Sequence, residues 1–116
     1  MRHLKKGRKF HREINQRKAL FKSLGSNLIL KEHIIITEPR AKELKRFIEK
    51  KITIAKRGNI AAIRNLRKYF SEKIVQKLVK EISPSLKERK GGYTRLTKIG
   101  RRATDRARMV KIELVK

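Results

Sequence analysis

The residues of this chain best equipped for chemistry are its cations, and they gather in two places. The first group is Arg2, Lys5, Lys6, Arg8, Lys9 and Arg12, continued by Arg17, Lys18 and Lys22, with Glu13 as the only acid among them. The second is Arg95, Lys98, Arg101, Arg102, Arg106 and Arg108. Clustered Lys and Arg neutralise phosphates and release their counterions, and arginine adds a planar, bidentate fork. Both groups lie in segments with little apolar sequence to build a core. Phosphate binding therefore explains them better than ordinary surface solvation does. Many of the basic residues of 38–57 read differently, as the solvated face of a helix.

Catalytic chemistry finds no comparable support. The acids are scattered, and most have a base within four positions, as Glu38 has Lys42, which is the spacing of helix-surface pairs. His3, His11 and His33 are the only imidazoles. Two of them fall where an extended arm is expected, a poor platform for acid–base geometry. There they would touch phosphate or solvent. No HExxH or P-loop pattern is present, and Gly91-Gly92 is too short for a nucleotide fingerprint. With no cysteine, disulfides and thiolate metal sites are excluded. No cofactor, metal site or small-molecule substrate is expected.

The bulk numbers agree. The chain has 116 residues and a formal net charge of +25, with 38% apolar residues. Such charge opposes compaction unless a polyanion offsets it, and nucleic acid is the commonest polyanion in a cell. No apolar run approaches a membrane span, and no apolar segment follows the basic N-terminus as in a secretory signal. A soluble, intracellular protein is expected. Aromatics are only 5% and mostly on apolar stripes, which argues against a base-stacking platform for single strands. Folded RNA, whose grooves admit an extended chain, suits a basic arm. Histone-like DNA binding fits the charge equally well and a membrane-active peptide less well; an RNA-processing enzyme is the alternative of a different class.

The elements that must position these cations are set by periodicity. Residues 1–13 have no sustained apolar pattern and read as a basic arm, with one domain over 14–116. Leu20, Phe21, Leu24 and Leu28 predict a helix over 16–30. "HIIIT" at 33–37 predicts a strand. Thr37, Glu38 and Pro39 predict a helix start, Ala41, Leu44, Ile48, Ile52 and Ala55 its buried stripe, and Gly58 its end. Asn59 and Ser71 predict caps for two further helices. Their stripes are Ile60, Ile63, Leu66 and Phe70, then Ile74, Val75, Leu78, Val79 and Ile82. Pro84 is expected to close the last one before Ser83. Strands are expected at 93–99 and 109–115, the second alternating Val110, Ile112 and Leu114 with polar residues, and an arginine-rich hairpin loop at 100–108. The sum is an α+β fold: a small three-stranded sheet packed against about four helices, with an extended basic N-terminal arm.

"MRHLKKGRKF", "RKALFKSL", "AKELKRFIEKKITIAKRG" and "GGYTRL…MVKIELV" occur in order over nearly the whole chain, and together they resemble the bacterial large-subunit ribosomal protein number seventeen family. The resemblance implies a structural, non-enzymatic constituent of the large ribosomal subunit, in the cytoplasm. It implies binding of large-subunit ribosomal RNA near the exit of the peptide tunnel, beside the ribosomal protein numbered thirty-two. It adds His3 to the RNA-binding residues through the match at Met1-Arg2-His3. The matches at Lys6-Gly7-Arg8-Lys9 and Arg17-Lys18-Ala19 complete an RNA-facing N-terminal segment. Two departures stand out. Gln16 replaces a usual His, and Thr104 replaces a usual Gly before Asp105, which implies a different path for the hairpin loop because Thr tolerates positive φ poorly.

Overall fold

The computed structural model describes residues 13–115. Helix α1 spans Ile14–Lys31, strand β1 His33–Thr37, α2 Glu38–Arg57, α3 Ile60–Arg67 and α4 Glu72–Lys77. The chain continues α4 through a π-helical turn, Leu78–Ile82, into a short α5, Ser83–Ser85, and ends in β2 (Thr94–Arg101) and β3 (Arg108–Leu114). The expected α+β architecture is present among the described residues. The arm expected at 1–13 lies, apart from Glu13, outside them.

The sheet has the order β1-β3-β2, antiparallel throughout. "HIIIT" is the third strand and pairs with β3, so that Ile34 and Leu96 flank Ile112 from either side. The alternation in β3 does what its period requires: Val110, Ile112 and Leu114 are buried, while Lys111 and Glu113 stand on the open face. The helices cover the buried face, with α2 touching all three strands.

Helix α2 is the central support. Its stripe, Ala41, Leu44, Ile48, Ile52 and Ala55, is fully or almost fully buried. Gly58 ends it in the left-handed region, φ 64°, and donates its N–H to the Ala55 carbonyl. Pro39 sits in the first turn as expected, but the Thr37 side chain makes no capping bond, and neither does Ser71. Asn59 does cap α3, accepting from the Ala62 N–H at 2.8 Å. In α3 the expected stripe is truncated: Ala62 and Leu66 are buried, but Ile60 is 70% exposed.

Pro84 does not end the fourth helical segment. Ser83 keeps helical dihedrals, φ −61° and ψ −42°. The π turn is the reason. It shifts bonding from i−4 to i−5, and the Ser83 N–H and hydroxyl both donate to the Leu78 carbonyl. A proline is excluded from a helix interior by its missing N–H and its clash with the i−4 carbonyl; the wider turn supplies room where that clash would fall.

Candidate nucleic-acid interface

The second basic cluster is built on the β2–β3 hairpin. Pairing runs regularly to Lys98↔Val110, then jumps to Gly100↔Met109, leaving Ile99 as an extra residue in β2. Such a bulge increases local twist and re-aims the strand beyond it. Gly100, at φ 138°, supplies the backbone freedom. Pairing then resumes with Arg101↔Arg108, so the loop is 102–107, shorter than the 100–108 expected. Arg101 and Arg108 are therefore strand residues directly opposite each other. Like charges in that relation repel, and no carboxylate pairs with either among the described residues.

The loop itself is held by one acid. Arg102 clamps Asp105 through Nε to Oδ1 at 2.9 Å and Nη2 to Oδ2 at 2.6 Å. Asp105 Oδ1 also accepts the Ala107 N–H at 3.1 Å. The hydrogen bond from Arg102, then that from the Ala107 backbone, holds the Asp105 carboxyl down at about 2. Backbone bonds from Arg102 N–H to Ala107 C=O and from Arg106 N–H to Arg102 C=O, both 2.8 Å, close the turn. The positive φ falls on Arg106, at 56°, and not on Thr104. The loop thus accommodates Thr104 by placing the left-handed residue two positions later. The one local acid is occupied by Arg102, and Lys98, Arg101, Arg106 and Arg108 remain exposed with no side-chain hydrogen bond or ion pair among the described residues, although the charges of Lys98 and Arg108 reach Glu38 on α2. Arg95 is the exception, paired with Glu113 at 3.7 Å on the open face of the sheet.

The hairpin tip meets the start of α2 across a cleft of about 550 Å³ lined by Thr37, Glu38, Lys42, Arg102 and Arg108 among others. Glu38 bonds Lys42 at 3.1 Å, the i,i+4 pair expected from spacing. That hydrogen bond, helped by the charges of Lys42, Lys98 and Arg108 against the opposing effect of burial, lowers its carboxyl below the usual range.

Of the first cluster, Arg2, His3, Lys5, Lys6, Arg8, Lys9 and Arg12 lie outside the described residues. Arg17, Lys18 and Lys22 lie on α1. Lys18 is exposed, whereas Arg17 and Lys22 are half-buried. Lys22 reaches the Tyr69 ring, its Nζ 5.8 Å from the centroid. Around this point Phe21, Phe47, Tyr69 and Phe70 form one aromatic cluster, with Phe47 contacting the other three at centroid distances of 5.9–6.1 Å. Measured along α2 at about 1.5 Å per residue, Phe47 and Lys51 lie roughly 14–20 Å from Glu38, which faces the hairpin tip across the cleft. The two clusters are thus separate stations on one helix.

One cation of 38–57 does not lie on the solvated face. Lys51, within 38–57, is only 8% exposed, its Nζ 3.4 Å from the Tyr69 centroid and 5.4 Å from that of Phe47. The signal was present. Lys51 stands three residues after Ile48 and four after Phe47, on the apolar side of the wheel.

The sequence matches the family described as ribosomal protein L17 over residues 20–115. It is 44% identical to the large ribosomal subunit protein bL17 of Dehalococcoides mccartyi over 117 aligned positions, covering 100% of both chains. Proteins of the same description from Pelobacter propionicus and Trichlorobacter lovleyi are 44% and 42% identical over 99% of this chain, and 91% and 94% of theirs. With a match of this extent over the same helices and hairpin, the chain belongs to the ribosomal protein L17 family.

Proposed function

We propose that this protein clamps folded ribosomal RNA through phosphate contacts made by two basic stations, the N-terminal segment with α1 and the β2–β3 hairpin. Family membership makes it a structural constituent of the large ribosomal subunit in the bacterial cytoplasm, with ribosomal RNA and other ribosomal proteins as partners, and not an enzyme. The finer reading names the contacts: Arg2, His3, Lys5, Lys6, Arg8, Lys9, Arg12, Arg17, Lys18 and Lys22 at one station, and Arg95, Lys98, Arg101, Arg102, Arg106 and Arg108 at the other. The location it proposes is near the exit of the peptide tunnel, beside the protein numbered thirty-two.

The observation that carries the RNA contact is the Arg101↔Arg108 cross-strand pair. Two like charges in register with no acid between them weaken a free hairpin. A phosphate bound across them converts that cost into two charge-assisted hydrogen-bonding forks. The loop's single acid cannot serve instead, since Arg102 already occupies it.

Binding of large-subunit RNA should fall steeply with salt, by about 0.7–0.9 in log–log slope for each phosphate contact. Removing residues 1–12 should cost much of the affinity while leaving the circular dichroism of the remainder nearly unchanged. A truncated chain that binds as tightly as the full one overturns the role of the N-terminal segment. Duplex DNA competing equally with ribosomal RNA at the same salt overturns RNA specificity. Location and neighbour are tested by cross-linking within intact subunits.

A further inference from the structure

The junction of α1, α2 and the turn after α3 holds a lysine, Lys51, that the RNA reading leaves out, beside one that it uses, Lys22. Lys22 from α1 and Lys51 from α2 approach the same Tyr69 ring, at 5.8 and 3.4 Å from its centroid. Neither lysine makes an ion pair or hydrogen bond among the described residues. Residues 1–12 cannot supply a carboxylate side chain, because they contain no Asp or Glu. Arg17, one helical turn before Phe21 on α1, has its Nε buried without a hydrogen-bond partner.

An aromatic face attracts a cation but does not neutralise it. Packing therefore holds Lys51 in place: its stem lies in a nearly buried position against Phe47 and Tyr69, while its charge remains uncompensated. A second cation on the same ring adds repulsion. Two ammonium groups fixed by rings are preorganised for an anion, because little side-chain freedom is left to lose on binding.

We propose that Lys22 and Lys51, held by Tyr69, form a cradle for one phosphate oxyanion, bridged between the two ammonium groups and away from the electron-rich face of the ring. The proposal rests on the RNA reading for its natural ligand, a backbone phosphate. The same geometry accepts free inorganic phosphate, and the two sources are separable.

The test uses the full chain and three variants, Lys51→Gln, Lys22→Gln and the double. Affinity for large-subunit RNA is measured across a salt series. Thermal unfolding is followed in inorganic phosphate against chloride of equal ionic strength. Each single variant should lower the log–log salt slope by about 0.7–0.9, one phosphate, and the double should lose no more than that. If the slopes hold but the extra stabilisation by inorganic phosphate disappears in the variants, the cradle stands and its ligand is the free anion. A folded Lys51→Gln protein that keeps both the slope and the phosphate response overturns the cradle. So does a double variant that loses two phosphate equivalents, since the lysines then make separate contacts. Should Lys51→Gln fail to fold, Lys51→Met takes its place with the same outcomes, because it removes the ammonium and keeps an apolar stem in the buried position. A wild-type protein that binds RNA without salt dependence removes the RNA reading and leaves the inorganic-phosphate arm to judge the cradle.

Discussion

At the α1–α2–α3 junction, Lys22 and Lys51 lean on Tyr69 and Phe47, and Phe47 in turn packs on Phe21 and Phe70. At the hairpin, Arg101, Arg106 and Arg108 project past Val110, the last fully buried residue of β3 on that side. Both stations are strongly basic, yet one is wired into the core and the other is cantilevered from it. The difference separates two ways to hold a charge that opposes folding. The junction holds it in place with aromatic contact and buried stems. The hairpin moves it away from the core and holds its turn with a single acid.

Changes beneath the junction should therefore have the largest effect on stability. Ile48→Ala opens a cavity in a site with no solvent exposure, and should cost about 2–5 kcal/mol in urea unfolding. A smaller but more local effect is expected at Gly25. A Cβ there meets ring carbons of Phe47 and Phe70 at 3.2 Å, so Gly25→Val should cost about 1–3 kcal/mol by overpacking. It should also shift the Phe47 ring resonances. If Gly25→Val is neutral, the rings yield easily, and the claim that they fix Lys51 fails with it.

The hairpin should behave in the opposite sense. Arg101→Gln with Arg108→Gln removes the facing like charges, so stability should stay within about 0.5 kcal/mol or rise slightly. The salt slope of RNA binding should fall by about 0.7–0.9 for each phosphate lost. A large loss of stability would show that the hairpin is as integral to the fold as the junction, and the contrast between the stations would collapse.

How far the sequence discloses this contrast depends on the signal. β3 and α2 are legible because each buries a single face, so their periods of two and about 3.6 residues survive in the residue types. Asn59 and Gly58 are legible for local reasons of capping and backbone freedom. Pro84 misleads because its usual exclusion from helices assumes i−4 bonding, and the π turn before it changes that partner. The true length of the hairpin loop was hidden too. The Ile99 bulge lets pairing resume after an apparent break, and two arginines read as loop are strand. Lys51 was legible in position but not in type, because a lysine on an apolar stripe looks like an intrusion until the rings that receive it are brought together from α2 and the turn after α3.

The smallest expected effect sits in the hairpin turn and tests its independence most directly. Asp105 titrates at about 2, below its ordinary value, because Arg102 and then the Ala107 N–H hydrogen-bond the carboxylate. A carboxyl lowered by folding contributes in full above its unfolded value, about 3.9, and that contribution is lost as pH falls through the folded value. Between about pH 4 and pH 2 the turn should therefore loosen while the core, whose buried side chains include no carboxylate, holds the middle of α2 in place; the lowered carboxyl of Glu38 is confined to the first turn of that helix. Carboxyl NMR should show the Asp105 midpoint near 2, and Arg102→Gln should raise it toward the ordinary range. Amide signals of 102–107 should move with that titration, and those of Leu44, Ile48 and Ile52 should not. If core and turn signals move together over that range, the hairpin is coupled to the core, and its arginines could not be as free to meet phosphate as the geometry of the tip requires.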